Sequence, residues 1–263
     1  MARTANGKSR HEHVVDELGS RIVRGELPAG ETLPTEEQLT AQYPVGRSAL
    51  REGVKVLSGK GLVESRTSAG TRVRARESWN LLDPDVLRWR FTHDTDFSDV
   101  QTVADLRVAI EPGAARLAAE SKNVGLRRAV SLAMAELWAT ADDPEAFVEA
   151  DLAFHRAVFV AAENDLLLYI HDVIAGALRS VRPIHTQSIS HNKDTLENHE
   201  LVALSIVRGN HRRAEAAMRA IVEVARADAL AQLIRSPQRG RSRRTAESSS
   251  SKKPVAKLRR TDD

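Results

Sequence analysis

Helix-breaking residues divide this 263-residue chain into two parts with different patterns. Gly and Pro are concentrated between residues 25 and 70, whereas residues 76–235 consist of long stretches with apolar residues at helical spacing. Breaks in this second part fall at Asp142–Pro144, at Glu163–Asp165 and at Gly209–Asn210. The pattern therefore predicts a mainly α chain that ends in an all-α bundle of six or seven helices. The predicted helices span 84–90, 97–120, 123–141, 143–163, 166–181, 194–208 and 211–233.

The first part of the chain predicts three short helices and a β-hairpin. Apolar residues recur at helical spacing up to Gly25, and "GELPAGETLP" then forces the chain to turn. Thr35 is placed to cap a short second helix, and a third helix follows Gly46 and ends near Gly59. The segment "LVESRTSAGTRVRA" alternates apolar and polar residues around a Ser/Gly turn, which indicates a hairpin. This order of elements is typical of a winged helix-turn-helix.

Composition excludes several classes of protein. Hydrophobic residues make up 41% of the chain and aromatic residues only 4%, so aliphatic side chains must supply the core. The absence of Cys excludes disulfides, thiol nucleophiles and Cys-based metal sites. No apolar run approaches the roughly 20 residues that span a bilayer, and "MARTANGKSRHEH" lacks the apolar stretch of a signal peptide. We therefore expect a cytoplasmic protein with no membrane partner.

Charge is unevenly distributed along the chain. Residues 76–235 carry 18 Lys and Arg against 24 Asp and Glu, whereas residues 236–263 carry 9 against 3. Residues 1–8 are also basic. The basic ends are therefore candidates for contact with nucleic acid, although a disordered tail that only aids solubility fits residues 236–263 equally well.

These observations predict five segments. They are a disordered basic N-terminus at 1–8, a winged helix-turn-helix at 9–75, a linker with a connecting helix at 76–96, a helical domain at 97–235, and a disordered basic tail at 236–263.

The predicted third helix carries a cationic face. Arg47, Arg51 and Lys55 are spaced by four residues, so they share one side of the helix, while Leu50 and Leu57 face the small core. A recognition helix needs this division, because it packs on one side and offers donors to DNA on the other. On an isolated helix the same stripe is more often a solvated basic surface.

The string "GELPAGETLPTEEQLTAQYPVGRSALREGVKVLSGKGLVESRTSAGTRV" resembles the DNA-binding domain of the GntR family of bacterial transcription regulators. The resemblance implies that Arg47 and Arg51 are the principal DNA contacts, with Gly46 and Ser48 beside them. It also implies that a wing at Ser68–Thr71, including Gly70 and Thr71, approaches the minor groove or a phosphate of the DNA.

Three positions depart from the family pattern. Gly46 stands where relatives often have Ser or Thr, so one hydroxyl contact is missing. Glu37 stands where some relatives carry an Arg that touches DNA. Ser68 replaces a Gly of the wing.

The remainder resembles the helical effector domain, called FCD, of the FadR-like branch of this family. The matching strings are "LRVAIEPGAARLAA", "ADLAFHRAVFVAAEN" and "HELVALSIVRGNHRRAEAAM". The linker "ESWNLLDPDVLRW" resembles members that control sugar-acid breakdown, among them repressors of galactonate operons.

Three residues are candidate ligands for a metal. Asp151 and His155 are four residues apart and project from one helix face, although such a pair is usually an ordinary hydrogen-bonded pair. In the resembled domain, one Asp and three His commonly hold a divalent metal, often zinc, and Asp151, His155 and His199 match three of these positions. Ile221 stands at the fourth. Two alternatives remain open: a three-ligand metal site completed by water or effector oxygens, or a metal-free site in which the histidines bind the effector directly.

Further candidates concern the effector itself. Arg107 and Glu111 share a helix face, and such pairs are commonly surface ion pairs. The resemblance instead implies that Arg107 faces the pocket and binds a carboxylate, for which its guanidinium is suited. The polar run between residues 182 and 199 adds His185 and Thr195 as candidate contacts to a polyol, but loop polarity explains them equally well.

The sequence thus predicts a homodimeric regulator that binds double-stranded operator DNA and responds to a small organic acid, most simply a repressor of a catabolic operon. One alternative is a non-inducible, architectural DNA-binding dimer. Another is a metal-dependent helical hydrolase, which lacks an evident general base, phosphate loop or nucleophile motif. We therefore expect a protein that is not an enzyme.

Overall fold

The computed structural model describes residues 10–43, 45–66, 70–91, 97–181 and 189–235. The elements, in chain order, are α1 (Arg10–Val23), α2 (Glu36–Gln42), α3 (Arg47–Gly59), β1 (Val63–Arg66), β2 (Gly70–Val73), α4 (Pro84–Phe91), α5 (Phe97–Glu120), α6 (Val124–Ala139), α7 (Pro144–Ala161), α8 (Asp165–Val181), α9 (Ile189–Val207) and α10 (His211–Arg235).

Helices α1 to α3 and the hairpin surround one small apolar core. The Thr35 side chain caps α2 by accepting from the Gln38 amide, and the Gln38 side chain accepts from the Thr35 amide in return. Leu50 and Leu57 of α3 are fully buried. Strands β1 and β2 pair antiparallel in the register Val63↔Val73 to Arg66↔Gly70. The predicted winged helix-turn-helix is confirmed.

Helices α5 to α10 form the predicted all-α bundle. The long helix α5 packs along α10 and also contacts α7 and α9, while α6 packs against α7 and α9. The helix starts follow local chemistry: the Asn123 side chain caps α6, and Asp143 caps α7 with Pro144 as its first residue. Small Ala residues on α5 and α10 allow close packing, and Phe154 of α7 is fully buried in the same apolar core.

Helix α4 belongs to both apolar cores. Val86 and Trp89 lie in the core of the winged helix-turn-helix, whereas Leu87 and Phe91 pack with Val173 and other residues of the bundle. The Asp83 side chain accepts from the amides of Asp85 and Val86, which caps α4. The linker therefore connects the two parts through packed side chains and not only through the backbone.

Polar contacts add to this connection. Lys60, which caps the C-terminal end of α3, contacts Asp83 and Asp85 at 2.8 and 2.9 Å. On the α1 side, Asp16 accepts from Arg88 and from the Trp89 indole. These contacts attach α4 to the winged helix-turn-helix at both of its ends.

One predicted helix boundary is wrong, and two predicted segments lie outside the described residues. The helix expected at 194–208 begins five residues earlier, at Ile189, so residues 189–194 are helical and not a loop. No Gly or Pro interrupts this stretch after Pro183, and polar side chains alone do not stop a helix. The predicted disordered segments at 1–8 and 236–263 lie outside the described residues.

Within the described ranges, no helix is both long and apolar enough to cross a membrane.

Candidate functional site

The predicted DNA-binding face of α3 is exposed. Arg47, Ser48, Arg51 and Lys55 all lie on the solvent side of the helix, and Gly46 is its exposed N-cap. The opposite side of α3 is closed by the core, because Leu50, Gly53 and Leu57 are buried. Helix α3 therefore has a cationic side that faces solvent and an apolar side that faces the core, as the residue spacing predicts.

Arg51 is held by a carboxylate of the neighbouring helix. Its Nε and Nη2 donate to the two oxygens of Glu36 at 2.8 and 3.0 Å. This hydrogen bonding raises the pKa of Arg51 and lowers that of Glu36. Both groups are well exposed, so water competes for the pair, but its geometry aligns the guanidinium along the surface of α2 and α3. Lys55 contacts Glu52 at 2.8 Å in a looser surface pair.

The wing includes a glycine that its backbone conformation requires. Gly70 has φ +76°, in the left-handed region where side chains are strained. It is exposed at the start of β2, and Thr71 follows it with its hydroxyl 3.0 Å from that of Ser65. Ser68 lies outside the described residues.

A second group of polar residues is buried inside the helical bundle. Arg107, Glu111, Asp151, His155 and His199 are each at most 7% exposed. They come from α5, α7 and α9, three helices that pack against one another. Charged groups are almost never buried this deeply unless they are paired or bind something. The cluster therefore marks this region as a candidate binding site.

Arg107 and Glu111 do not form the surface ion pair that their spacing commonly indicates. Arg107 Nε donates to Glu111 Oε1 at 2.5 Å, and Glu111 Oε2 lies 2.8 Å from His155 Nδ1. Burial raises the pKa of Glu111, but the positive charge of Arg107 and the contact with His155 outweigh it and hold this pKa well below its usual range. Glu111 is thus an ionised carboxylate that joins Arg107 to His155.

Asp151 lies between the two histidines. Its Oδ1 is 3.1 Å from His199 Nε2 and 3.7 Å from His155 Nε2. On the far side of each ring, Nδ1 lies 2.8 Å from an oxygen: Oε2 of Glu111 for His155, and the Thr195 carbonyl for His199. When each Nδ1 carries the proton, both Nε2 lone pairs face the Asp151 carboxylate.

This arrangement fits a divalent cation. Potential ligand atoms of three residues converge, and one such atom from each residue lies within 4.8 Å of the others. Ligands of tetrahedral zinc lie about 3.3 Å apart, because zinc binds His nitrogen and carboxylate oxygen at about 2.0–2.2 Å. Metal-bound His residues also typically donate their other N–H to a carboxylate or carbonyl, as both rings can here. Within the described part of the chain, these three residues are the only group of three or more potential metal ligands that lie this close together.

The other sequence candidates are placed differently. Ile221 is buried in the same apolar cluster as Phe154, whose ring meets the edges of His155 and His199. Thr195 is half-buried one turn before His199 and contacts it through its backbone carbonyl. His185 lies outside the described residues.

Two further buried polar residues lie in this region and were not predicted as site residues. The first is Glu111, which the sequence suggested only as half of an ion pair. The feature that could have identified it is a carboxylate on a helix face otherwise occupied by Val108, Ala114 and Ala115. His171 of α8 was not selected; it is buried and stacks on Phe159 at 4.6 Å. The sequence feature that could have identified it is its position on an amphipathic helix, four residues after Leu167 and three before Ile174.

Comparisons with known proteins extend these observations. Residues 10–73 match the family described as bacterial regulatory proteins, gntR family, and residues 102–224 match the FCD domain. The galactonate operon transcriptional repressor of Escherichia coli K12 is 33% identical over 173 residues, which cover 66% of this chain and 76% of the relative. The chain belongs to the GntR family.

Other GntR relatives agree. The regulator LutR of Bacillus subtilis is 31% identical over 202 residues, covering 75% of this chain and 90% of LutR. Among solved structures, Lar of Listeria monocytogenes covers 88% of this chain and 99% of its own with a TM-score of 0.59, and at 18% identity it supports the fold alone. The matched families and relatives are transcription regulators, which are not enzymes. This GntR protein is therefore a transcription regulator with an FCD effector-binding domain.

Proposed function

We propose that this GntR regulator is a homodimeric repressor of an organic-acid catabolic operon, and that the acid releases it from its operator. The observation that carries the proposal is the buried polar cluster of the FCD domain, where Arg107 and three candidate metal ligands meet. The relatives include a repressor of a galactonate operon and a putative regulator of an L-lactate dehydrogenase operon. A sugar acid is therefore the first effector to test.

DNA binding is assigned to the exposed side of α3 and to the wing. Arg47 and Arg51 would donate to guanine edges or phosphates, with Gly46, Ser48 and Lys55 along the same surface. Glu36 holds the Arg51 guanidinium in one orientation before DNA arrives, which lowers the entropy that Arg51 loses on binding. Gly70 and Thr71 would bring the wing backbone close to phosphate.

A carboxylate effector would be held by Arg107. In the absence of ligand, Nε and Nη2 of this guanidinium face Glu111, so the effector either uses the remaining donors or displaces Glu111. Because Arg107 is buried, a charge-assisted bond to a carboxylate would be strong there. Thr195 and His185 are proposed contacts for the hydroxyl groups of a sugar acid.

Asp151, His155 and His199 are proposed to hold one divalent metal, with zinc as the first choice for this donor set. A bound zinc ion would supply a Lewis-acidic position for an effector oxygen. The chain's own contribution is orientation: the Thr195 carbonyl and the Glu111 carboxylate each fix one imidazole ring, and Phe154 packs against the edges of both rings. The side chain of Ile221 leaves the fourth ligand position to water or effector.

Helix α4 offers a route from the effector to DNA. It packs on α8, which lies against α5 and α7, and its Trp89 is inserted into the core of the DNA-binding domain. A ligand shifts the equilibrium between DNA-competent and DNA-incompetent arrangements only if its affinity for the two differs. Repacking of α8 against α4 would supply such a difference.

The test is operator binding by the full chain, measured by fluorescence polarisation on DNA from the promoter beside its gene. We expect galactonate or another sugar acid to weaken binding several-fold, and the same acid to raise the melting temperature of the free protein. A chelator should reduce both effects if the metal contributes an effector ligand. If no acid in a screen of sugar acids, L-lactate and dicarboxylates changed either quantity, the effector proposal would fail in favour of a non-inducible dimer.

A further inference from the structure

Glu111 is buried between a guanidinium and an imidazole. Its side chain is 4% exposed, and its two oxygens contact residues on two different helices, with Oε2 also accepting from Arg107 Nη2 at 3.4 Å. Oε1 accepts from Arg107 Nε at 2.5 Å on its own helix α5, and Oε2 lies 2.8 Å from Nδ1 of His155 on α7. An ionised carboxylate only accepts, so the atom that faces Oε2 must carry a proton.

This contact selects one tautomer of His155. A neutral imidazole has one N–H and one lone pair, and with the proton on Nδ1 the lone pair is on Nε2. That atom faces Asp151 and the second ring, His199, whose centroid is 5.5 Å from that of His155 at nearly right angles. A lone pair that faces a carboxylate oxygen is repelled unless a cation lies between them.

We infer that Glu111 is a positioning residue for metal binding: it holds His155 in the tautomer whose Nε2 can bind a divalent cation together with Asp151 and His199. The inference rests on the proposed metal site and adds a residue that is not itself a ligand. The buried guanidinium of Arg107 balances the charge of Glu111, so the carboxylate reaches His155 without an unpaired charge in the core.

An amide cannot replace this carboxylate. The Gln side chain has one acceptor oxygen and one donor NH2 group, whereas both neighbours of Glu111 donate. If the oxygen of Gln turned to Arg107, its NH2 group would face His155, and the ring would have to accept at Nδ1 and carry its proton on Nε2. The metal-binding lone pair would then be lost without any change in the size of residue 111.

Helix α5 supplies a matched control. Arg116 and Glu120 repeat the Arg107–Glu111 spacing on the same helix, with Nη1 of Arg116 2.8 Å from Glu120 Oε1, but this second pair is exposed. Glu120→Gln therefore removes the same charge from the same type of pair and leaves His155 untouched.

The experiment measures Zn²⁺ binding to the full chain, with Zn²⁺ as the only ligand and a colorimetric chelator as competitor. We expect Glu111→Gln to weaken zinc binding 10- to 100-fold, the usual effect of losing a partner of a ligand, and Glu120→Gln to leave it unchanged. Circular dichroism verifies that each variant is folded. Zinc binding by Glu111→Gln as tight as in the wild type would overturn the inference while leaving the metal site in place. No zinc binding by the wild type would overturn both.

A second measurement has its main readout in the wild-type protein. Long-range ¹⁵N–¹H spectra of metal-free, ¹⁵N-His-labelled wild type report which ring nitrogen is protonated, with the His155 signals assigned by their loss in His155→Ala. We expect the Nδ1–H form for His155, and a shift to the Nε2–H form in Glu111→Gln. A purely structural role of Glu111 would leave the tautomer unchanged. An Nε2–H form in the wild type would overturn the inference.

Discussion

The buried imidazole of His171 responds to pH in a direction that its surroundings fix. Burial, together with the nearby His155, lowers the pKa of His171 from 6.5 to about 4, although Glu111 opposes this shift. Stacking on Phe159 keeps the ring in this environment. The unfolded chain therefore takes up a proton at pH values where the folded chain does not, and the free energy of unfolding falls as the pH falls below about 6.5.

We expect the wild type to lose about 2 kcal/mol more stability between pH 7.5 and pH 5 than His171→Gln, because the variant has no imidazole to protonate at this position. Urea unfolding at both pH values gives the difference, and only the change with pH is compared, so an equal loss of packing at both pH values cancels. His211→Gln, on the exposed start of α10, is the matched control for losing a histidine. Parallel pH dependences of wild type and His171→Gln would show that His171 does not titrate in this way.

Arg51 allows a residue-scale test of the DNA surface. We expect Arg51→Ala to lose about 1–3 kcal/mol of operator binding, which is a rise of roughly 5- to 150-fold in the Kd measured by gel shift. The fold should survive, because Arg51 is exposed. Arg219→Ala is the control, since it removes the same charge from an exposed helical pair on α10. Operator affinity equal to that of the wild type in Arg51→Ala would remove α3 from the proposed DNA surface.

At the scale of elements, α1 and α4 meet through a glycine. A Cβ on Gly19 would lie 2.4 Å from ring atoms of Trp89, so no larger residue fits between these helices without displacing the indole. Gly176 in α8 is the opposite case, because nothing lies within 4 Å of its missing Cβ. The same residue type therefore serves packing in one helix and only lowers helix propensity in the other.

We accordingly expect Gly19→Ala to destabilise the protein by roughly 1–3 kcal/mol through overpacking, and Gly176→Ala to stabilise it by roughly 0.5–1 kcal/mol. Thermal and urea unfolding measure both variants, and the fluorescence of Trp89 should change in the first one alone. Equal stability of the two variants would contradict the packing of α4 on α1.

Much of the fold could be predicted from the sequence, because local signals determine where most elements begin and end. Thr35, Asn123 and Asp143 cap helices where their side chains can reach free amides, and apolar spacing identifies the buried faces. The early start of α9 could not be predicted, since its first turns are polar and no local signal marks their start. The burial of Glu111 could not be predicted either, because it depends on α7 packing beside α5, and spacing within one helix carries no such information.

At the scale of the whole molecule, the part of the chain proposed to bind the effector is acidic, whereas the C-terminal segment that could contact DNA is basic. Residues 76–235 are acidic, with 18 Lys and Arg against 24 Asp and Glu, and would be repelled by DNA, whereas residues 236–263 carry 9 basic against 3 acidic side chains. A basic segment that touches DNA releases counterions and steepens the salt dependence of binding. The tail therefore changes the salt dependence of operator binding only if it reaches the duplex.

We expect truncation after Arg235 to weaken operator binding and to flatten the plot of log affinity against log salt concentration, since fewer phosphates are neutralised. Fluorescence polarisation at several KCl concentrations measures the slope. The control replaces the tail with a neutral Gly/Ser segment of equal length and should behave like the truncation. Identical slopes for the truncated and full chains would assign the tail to solubility alone.

The position of α4 in two cores has a practical consequence for domain exchange between regulators of this family. A chimera joined at residue 73, where the family match of the first domain ends, would combine this DNA-binding domain with a foreign helix in the place of Trp89. Where the foreign helix has no Trp at this position, the hybrid would either leave an unfilled apolar cavity beside Gly19 or place a different side chain in it. A junction placed after Phe91 keeps Val86 and Trp89 with the DNA-binding domain whose core they complete. The non-native contact is then the one between α4 and α8.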